Sequence, residues 1–142
     1  MTGLAHASPP RILLLEDEAV NRSLVRAVLS RSNDPALTSA TLLEATTIAE
    51  AHAVLDAGDV DVALLDVRVP DGSGLDLARE LANGDHRKRP GIVIVSASVL
   101  ATERDAAMQA GCDAFLAKPY RPSELIETVR RLLDRGDRVR AS

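Results

Sequence analysis

The chain has 142 residues, of which 46% are hydrophobic and 27% are charged, and its formal net charge is −4. This length and composition are typical of one globular domain and exclude an intrinsically disordered chain. The acidic balance argues against direct binding of nucleic acid, and no apolar stretch approaches the roughly 20 residues of a membrane span. A single cysteine, Cys112, excludes an internal disulfide bond and predicts a reducing, cytoplasmic location.

The two ends of the chain differ from its middle. Residues 1–10 have neither a basic segment nor an apolar segment of the kind found in signal peptides, so we predict a disordered leader there. Residues 11–135 are predicted to form the folded domain, and residues 136–142 a polar tail. Phe115 and Tyr120 are the only aromatic residues, which predicts a core of aliphatic side chains.

The first part of the chain predicts two strands, each followed by a helix. An apolar run at Ile12–Leu15 predicts a buried strand. The helix after it presents apolar residues on one face: Val20, Leu24, Ala27 and Val28. A second strand is predicted at Thr41–Ala45. The helix that follows begins with a capping box at Thr47 and ends at Gly58.

The rest of the chain predicts three further pairs of strand and helix. The strands are expected at Val60–Leu65, Gly91–Val95 and Ala114–Ala117. The third helix carries Leu77 and Leu81 on one face, and the fourth extends from about residue 102 to residue 110. The fifth begins at Pro122 and ends at Gly136, with an inward stripe formed by Leu125, Val129 and Leu132. Strands that alternate with helices predict an α/β fold with a parallel sheet and helices on both faces.

Polar residues follow the predicted strands at the points where they end. Glu16 and Asp17 follow the first strand, Asp66 the third, Ser96 the fourth and Lys118 the fifth. In open parallel sheets the carboxyl ends of the strands meet at one edge, where ligands bind. The sequence therefore predicts that three acids, a hydroxyl and an ammonium group form one site.

This set of groups suits the transfer of a phosphoryl group. Clustered carboxylates without histidine or cysteine favour a hard cation such as Mg²⁺. A lysine and a hydroxyl, here Lys118 and Ser96, can contact the oxygens of a phosphoryl group. Asp66 can act as the nucleophile and become an acyl phosphate.

Four segments in order along the chain carry a family resemblance. They are Leu14–Glu18, Leu64–Gly74, Val95–Ala97 and Ala117–Tyr120. With them, the chain from about residue 11 to residue 133 resembles the receiver domain of two-component response regulators, the CheY-like family. The resemblance implies a flavodoxin-like (βα)5 fold, whose five-stranded parallel sheet has the order 2-1-3-4-5.

The resemblance also implies roles for individual residues. Asp66 is expected to accept a phosphoryl group from a phosphohistidine, with Lys118 and Ser96 completing the catalytic set. Ser96 and Phe115 are expected to form the conformational switch, and the Lys118–Pro119 peptide is often cis in the family. The implied Mg²⁺ ligands are Glu16, Asp17, Asp66 and the backbone carbonyl of Arg68.

The implied partners are a sensor histidine kinase or histidine phosphotransfer protein and a downstream target protein, with no nucleic acid and no membrane. Such a domain catalyses its own phosphorylation and slow dephosphorylation and is not an enzyme in the ordinary sense. A homodimer that forms on phosphorylation stays open at this point. So does the choice between a stand-alone regulator and a module of a longer protein.

Three other functions compete with the receiver. An aspartate-nucleophile phosphatase needs a second acid two residues after the nucleophile, where this chain has Arg68. A dinucleotide-binding enzyme needs a glycine-rich motif after the first strand, where this chain has Glu16 and Asp17. A pseudo-receiver, which binds partners without phosphate, stays open as the alternative.

The loop from Asp71 to Gly74 is interpreted as a helix cap with glycines at positive φ.

Overall fold

The computed structural model describes residues 9–84, 89–98 and 100–141, with side chains as far as residue 135. The strands are β1 (Arg11–Leu15), β2 (Thr41–Ala45), β3 (Val62–Asp66), β4 (Arg68–Val69), β5 (Gly72–Ser73), β6 (Gly91–Ser96) and β7 (Ala114–Ala117). The helices are α1 (Ala19–Ser30), α2 (Pro35–Thr38), α3 (Ile48–Ala57), α4 (Gly74–Asn83), α5 (Ala101–Gln109) and α6 (Pro122–Ala141). The predicted leader lies almost wholly outside the described residues.

The long strands form one parallel sheet of five strands, in the order β2-β1-β3-β6-β7. Strands β4 and β5 form a separate antiparallel hairpin. When the hairpin is left out of the count, the sheet has the order 2-1-3-4-5 that the family resemblance implies. The predicted flavodoxin-like fold is therefore confirmed.

Alternate residues of each central strand supply the two halves of an aliphatic core. In β1, Leu13 and Leu15 pack on the side that carries α3, α4 and α5. Ile12 and Leu14 pack on the side that carries α1 and α6. The other fully buried side chains of this core are also aliphatic, for example Leu37, Leu64, Leu65, Leu77, Leu81, Ile92, Ile94 and Leu125. Both faces of the sheet are covered, so polar side chains gather at the ends of the strands.

Helix α1 buries only part of the predicted face: Val28 packs against the core and Ala27 is half-buried. Val25 and Leu29 are buried, whereas Val20 and Leu24 are 72% and 57% exposed. The residues of each pair are four positions apart, and the second pair is offset from the first by five residues, which is a rotation of about 140° around the helix axis. Both stripes have helical spacing, so the pattern alone did not distinguish the buried face from the exposed one.

Two short elements were missed, and the end predicted for the last helix is wrong. Helix α2 is a single turn capped by Asp34, whose carboxylate accepts a hydrogen bond from the backbone N–H of Ala36 at 2.9 Å. The β4–β5 hairpin is too short to produce a strand pattern. Helix α6 does not end at Gly136 but continues to Ala141, through the predicted tail. One glycine costs a helix only about 1 kcal/mol, which the flanking residues can outweigh.

The predicted capping box at α3 is present in part. The hydroxyl of Thr47 accepts a hydrogen bond from the backbone N–H of Glu50 at 3.1 Å, as a capping residue does. The Glu50 carboxylate accepts from Thr46, at 2.7 Å from both its backbone N–H and its hydroxyl. The acid therefore orders the residue before the cap.

The loop after β3 caps two helices. Ser73 accepts a hydrogen bond from the N–H of Leu75 at 3.1 Å and so caps α4. The Asp71 carboxylate accepts from the N–H groups of Ile48 and Ala49, at 2.7 and 3.1 Å, at the start of α3. These hydrogen bonds lower the pKa of Asp71. The sequence indicates the cap of α4. It does not indicate that the same loop also caps α3, because that contact is between residues far apart in the chain.

Asp113 joins the amino ends of two strands to the last helix. Its carboxylate accepts hydrogen bonds from the backbone N–H of Ile92 at 2.8 Å and from Arg89 at 2.9 Å. The guanidinium of Arg135 in α6 lies 2.9 Å from its other oxygen. Burial alone would raise the pKa of Asp113, but these three donors together lower it.

Asp113→Asn is expected to reduce the free energy of unfolding at pH 7 by about 1–3 kcal/mol, because two charge-assisted contacts are weakened. The native pKa of Asp113 is lowered, so its contribution is complete above the ordinary carboxyl pKa of about 4 and is lost as the pH falls through the native value. Urea unfolding of both proteins from pH 7 downwards measures this. The difference between them should narrow below about pH 4. Asp105→Asn, at an exposed position, controls for the loss of one charge. A pH-independent difference would contradict the prediction.

Candidate functional site

The parallel register of the sheet places the carboxyl ends of its strands at the same edge. Leu15 of β1 lies opposite Leu65 of β3, and Ser96 of β6 lies opposite Ala117 of β7. The residues that follow these positions therefore project from the same edge. This edge holds every side chain that the sequence placed at a strand end.

Three carboxylates form a cluster at this edge. Glu16, Asp17 and Asp66 each offer an oxygen atom, and these atoms all lie within 4.8 Å of one another. Glu16 is only 4% exposed, whereas Asp17 is exposed. Such a set of oxygen ligands, without histidine or cysteine, fits a hard divalent cation such as Mg²⁺. Arg68 begins β4 beside the cluster, and its backbone N–H is 3.4 Å from a carboxylate oxygen of Asp66.

Lys118 connects two of these acids. Its ammonium nitrogen is 2.7 Å from a carboxylate oxygen of Glu16 and 3.1 Å from one of Asp66. Burial would lower the pKa of Lys118, but the hydrogen bond to Glu16 and the charge of Asp66 raise it overall. Lys118 is therefore held as a cation in the middle of the site.

The acids respond to this environment in opposite directions. Burial opposes the ionisation of Glu16, but hydrogen bonds from Lys118 and from the backbone N–H of Glu18 lower its pKa overall. For Asp66, burial is the largest effect and raises the pKa, the charge of Glu16 adds to this rise, and Lys118 opposes it. One ammonium group does not neutralise three acids. The cluster is short of positive charge, and this fits it to a cation.

The predicted switch residues lie on the next two strands of the sheet, Ser96 at the end of β6 and Phe115 within β7. Ser96 is 3% exposed, and its hydroxyl donates a hydrogen bond to Glu103 of α5 and accepts one from the N–H of Ser98 at 3.0 Å. Phe115 is half-buried, and the guanidinium of Arg104 lies 5.1 Å from the centre of its ring. The peptide bond from residue 118 to residue 119 is cis, as the resemblance suggests.

Two further residues touch the site without having been singled out from the sequence. Arg22 of α1 donates a hydrogen bond to the backbone carbonyl of Glu16 at 3.0 Å, and its Nε lies 3.4 Å from Glu44. Glu103 accepts the hydrogen bond from Ser96. Each is one of several polar residues on its helix, so only its tertiary contact distinguishes it.

Comparison with known proteins decides the family. The profile of the response regulator receiver domain matches residues 12–130. This chain is a member of the response regulator receiver domain family. The receiver is 26% identical, over 88% of its length and 97% of the relative, to the polar-differentiation response regulator DivK of Brucella anthropi.

A larger regulator and a solved structure add to this comparison. The receiver is 30% identical, over 89% of its length, to the aerobic respiration control protein ArcA of Escherichia coli, and it spans only 49% of that relative. It is 26% identical to the receiver domain of the sensor histidine kinase PA1611 from Pseudomonas aeruginosa, with a TM-score of 0.76 over 89% of this chain and 99% of the other. That crystal structure has a magnesium ion coordinated in the active site cleft.

Membership of the family establishes the general function. Receiver domains of two-component systems are phospho-acceptors that bind Mg²⁺ at an acidic pocket and work with histidine kinases and downstream targets. In the part of the chain that the structure describes, no helix combines the length and the hydropathy needed to cross a membrane.

Proposed function

We propose that this receiver accepts a phosphoryl group onto Asp66 from a phosphohistidine of a sensor histidine kinase or histidine phosphotransfer protein. The observation that carries this proposal is the position of Asp66, at the end of β3 and 3.1 Å from the ammonium group of Lys118. Glu16 and Asp17 contribute carboxylate oxygens within 4.8 Å of those of Asp66. The proposed nucleophile, its compensating cation and the proposed metal ligands would therefore share one edge of the sheet.

The transfer is an exchange of one bond for another. A carboxylate oxygen of Asp66 attacks phosphorus, the phosphorus–nitrogen bond of the phosphohistidine breaks, and its electron pair returns to the imidazole ring. Lys118 stabilises the negative charge on the phosphoryl oxygens, and the hydroxyl of Ser96 donates a hydrogen bond to one of them. Water later hydrolyses the acyl phosphate, which releases phosphate and restores the carboxylate.

The proposed Mg²⁺ ligands are the carboxylates of Glu16, Asp17 and Asp66 and the backbone carbonyl of Arg68. When bound, the ion neutralises charge on the phosphoryl oxygens. Arg22 supports the site by its hydrogen bond to the carbonyl of Glu16. Lys118 neutralises these acids only in part, so their remaining repulsion favours ion binding.

The signal is proposed to leave through protein contact. Ser96 and Phe115 would change position on phosphorylation, and both contact side chains of α5. The surface of α5, β7 and α6 is therefore the proposed contact for a downstream protein, or for a second receiver in a phosphorylation-dependent homodimer. We propose a cytoplasmic location, because this is the usual location of receiver domains.

The test of the proposal is intact mass after incubation with acetyl phosphate, with and without Mg²⁺. The expected result is a gain of one phosphoryl group that requires Mg²⁺ and is absent from Asp66→Asn. Asp76→Asn, which removes an exposed acid of α4, should be labelled like the original protein. Labelling that persists in Asp66→Asn would overturn the assignment. Failure of the unaltered protein with acetyl phosphate and with a panel of histidine kinases would favour the pseudo-receiver.

A further inference from the structure

The hydroxyl of Ser96 already has an acceptor on helix α5. It donates a hydrogen bond to the carboxylate of Glu103 and accepts one from the backbone N–H of Ser98 at 3.0 Å. A serine hydroxyl has a single proton to donate. Ser96 is 3% exposed, so water is a poor substitute for a lost partner. Donation to a phosphoryl oxygen on Asp66 therefore requires the bond to Glu103 to break.

The first turn of α5, which carries Glu103, is held to the domain mainly by side-chain contacts. Helix α5 begins after Leu100, which provides no side-chain cap and is 64% exposed. Ala107, in the second half of the helix, is its buried residue. The first turn is fixed to the sheet by side chains instead, through the bond of Glu103 to Ser96 and the contact of Arg104 with Phe115. Adjacent residues of one turn thus contact both proposed switch groups.

We propose that Glu103 is a positioning residue that latches Ser96 in the unphosphorylated arrangement and competes with the phosphoryl group for its proton. This inference rests on the proposed function of Asp66 and Ser96. The two states differ in whether the bond between Ser96 and Glu103 exists, so this bond shifts the equilibrium towards the unphosphorylated state. Loss of the Glu103 carboxylate leaves the buried hydroxyl without its acceptor in that state alone, and this favours phosphorylation further.

The test uses the complete chain and beryllofluoride with Mg²⁺, a mimic of a phosphoryl group on a carboxylate. Binding is measured by titration calorimetry and by fluorine NMR of the bound ion. Glu103→Ala is expected to bind beryllofluoride about fivefold more tightly or better. Glu103→Gln should lie between the two proteins, because its amide oxygen accepts a weaker hydrogen bond than a carboxylate does. It also serves if the alanine variant folds poorly.

Two controls separate the latch from a general change in charge. Asp105→Ala removes the same charge from an exposed position of the same helix, and its affinity should stay within about twofold of the original. In a Ser96→Ala background, Glu103→Ala should have no further effect, since the acceptor has lost its donor. This double-mutant cycle measures the coupling between the two side chains.

The outcomes distinguish the latch from the function on which it rests. Equal gains in Glu103→Ala and Asp105→Ala, or a gain that persists in the Ser96→Ala background, would overturn the latch. So would normal binding by the original protein together with unchanged binding by Glu103→Ala. Binding by the original protein that is no better than that of Asp66→Asn would overturn the proposed function, and the latch with it.

Discussion

Replacing Lys118 with methionine is expected to slow phosphorylation by acetyl phosphate about a hundredfold or more, because the fixed charge that stabilises the transferring phosphoryl group is lost. Methionine keeps the length and the apolar stem of lysine but not its ammonium group. The rate is measured as phosphoryl incorporation by intact mass over time, at saturating Mg²⁺. Arg130→Met is the matched control, since it breaks an ion pair with Asp34 on the surface.

The same substitution separates catalysis from metal binding. Lys118 occupies oxygens of Glu16 and Asp66, which are two of the proposed metal ligands. Without the lysine these acids lack their protein cation, so Mg²⁺ should bind more tightly at neutral pH. Calorimetric titration with Mg²⁺ measures this. A variant that loses Mg²⁺ affinity in proportion to its phosphorylation rate would show that Lys118 only maintains the shape of the site.

Stability gives a third readout of the role of Lys118. The Glu16 side chain is 5% exposed, and removal of one partner of a buried pair leaves the other charge uncompensated. Lys118→Met is therefore expected to lose about 2 kcal/mol or more of unfolding free energy without Mg²⁺. Added Mg²⁺ should recover part of this loss, because it binds the native protein and not the unfolded chain.

The position of the candidate site was predictable because the strands fix the residues at their carboxyl ends. Asp66 ends β3 and Ser96 ends β6, and parallel strands in register must bring such ends to one edge. The apolar runs that reveal the strands therefore also locate the chemistry. The acids, the lysine and the hydroxyl are therefore identifiable from the sequence alone.

Contacts made by exposed helical residues could not be predicted in the same way. In the sequence Glu103 and Arg22 each look like an ordinary solvated charge on a helix, and only the packing of α5 and α1 on the sheet brings them to Ser96 and Glu16. The sequence pattern of α1 fails to identify Val25 and Leu29 as buried residues for a related reason. Two apolar stripes with helical spacing are equivalent until the sheet selects one of them.

The loop after Asp66 contains a prediction that was right in part. Ser73 is the helix cap expected there and Gly72 has the expected positive φ, at 159°, but Gly74 does not. Gly74 is instead needed for space. A Cβ atom at this position would lie 2.1 Å from the carbonyl oxygen of Asp66 and 2.9 Å from its carbonyl carbon. The local sequence shows the glycine, but it does not show that the Asp66 backbone packs directly against it.

Gly74→Ala is therefore expected to destabilise the domain by about 3 kcal/mol, because the overlapping atoms belong to backbone that cannot rotate away. Alanine favours a helix over glycine by about 1 kcal/mol, so the measured loss is the clash minus this gain. Urea unfolding at pH 7 measures the difference. Gly58→Ala is the control, since its nearest neighbour is the mobile guanidinium of Arg11 at 3.2 Å and its backbone is extended.

The rate of labelling by acetyl phosphate should also be lower in Gly74→Ala than in Gly58→Ala. To accommodate a methyl group at position 74, either the start of α4 or the Asp66 backbone must move, and Asp66 carries the proposed nucleophile. Labelling of Gly74→Ala by acetyl phosphate should then be slower even where the protein is fully folded, because a displacement near 1 Å costs about a hundredfold in rate. Gly58→Ala should keep the original rate. Equal stability and equal labelling in the two variants would show that α4 can move without the strand, and that Gly74 does not position Asp66.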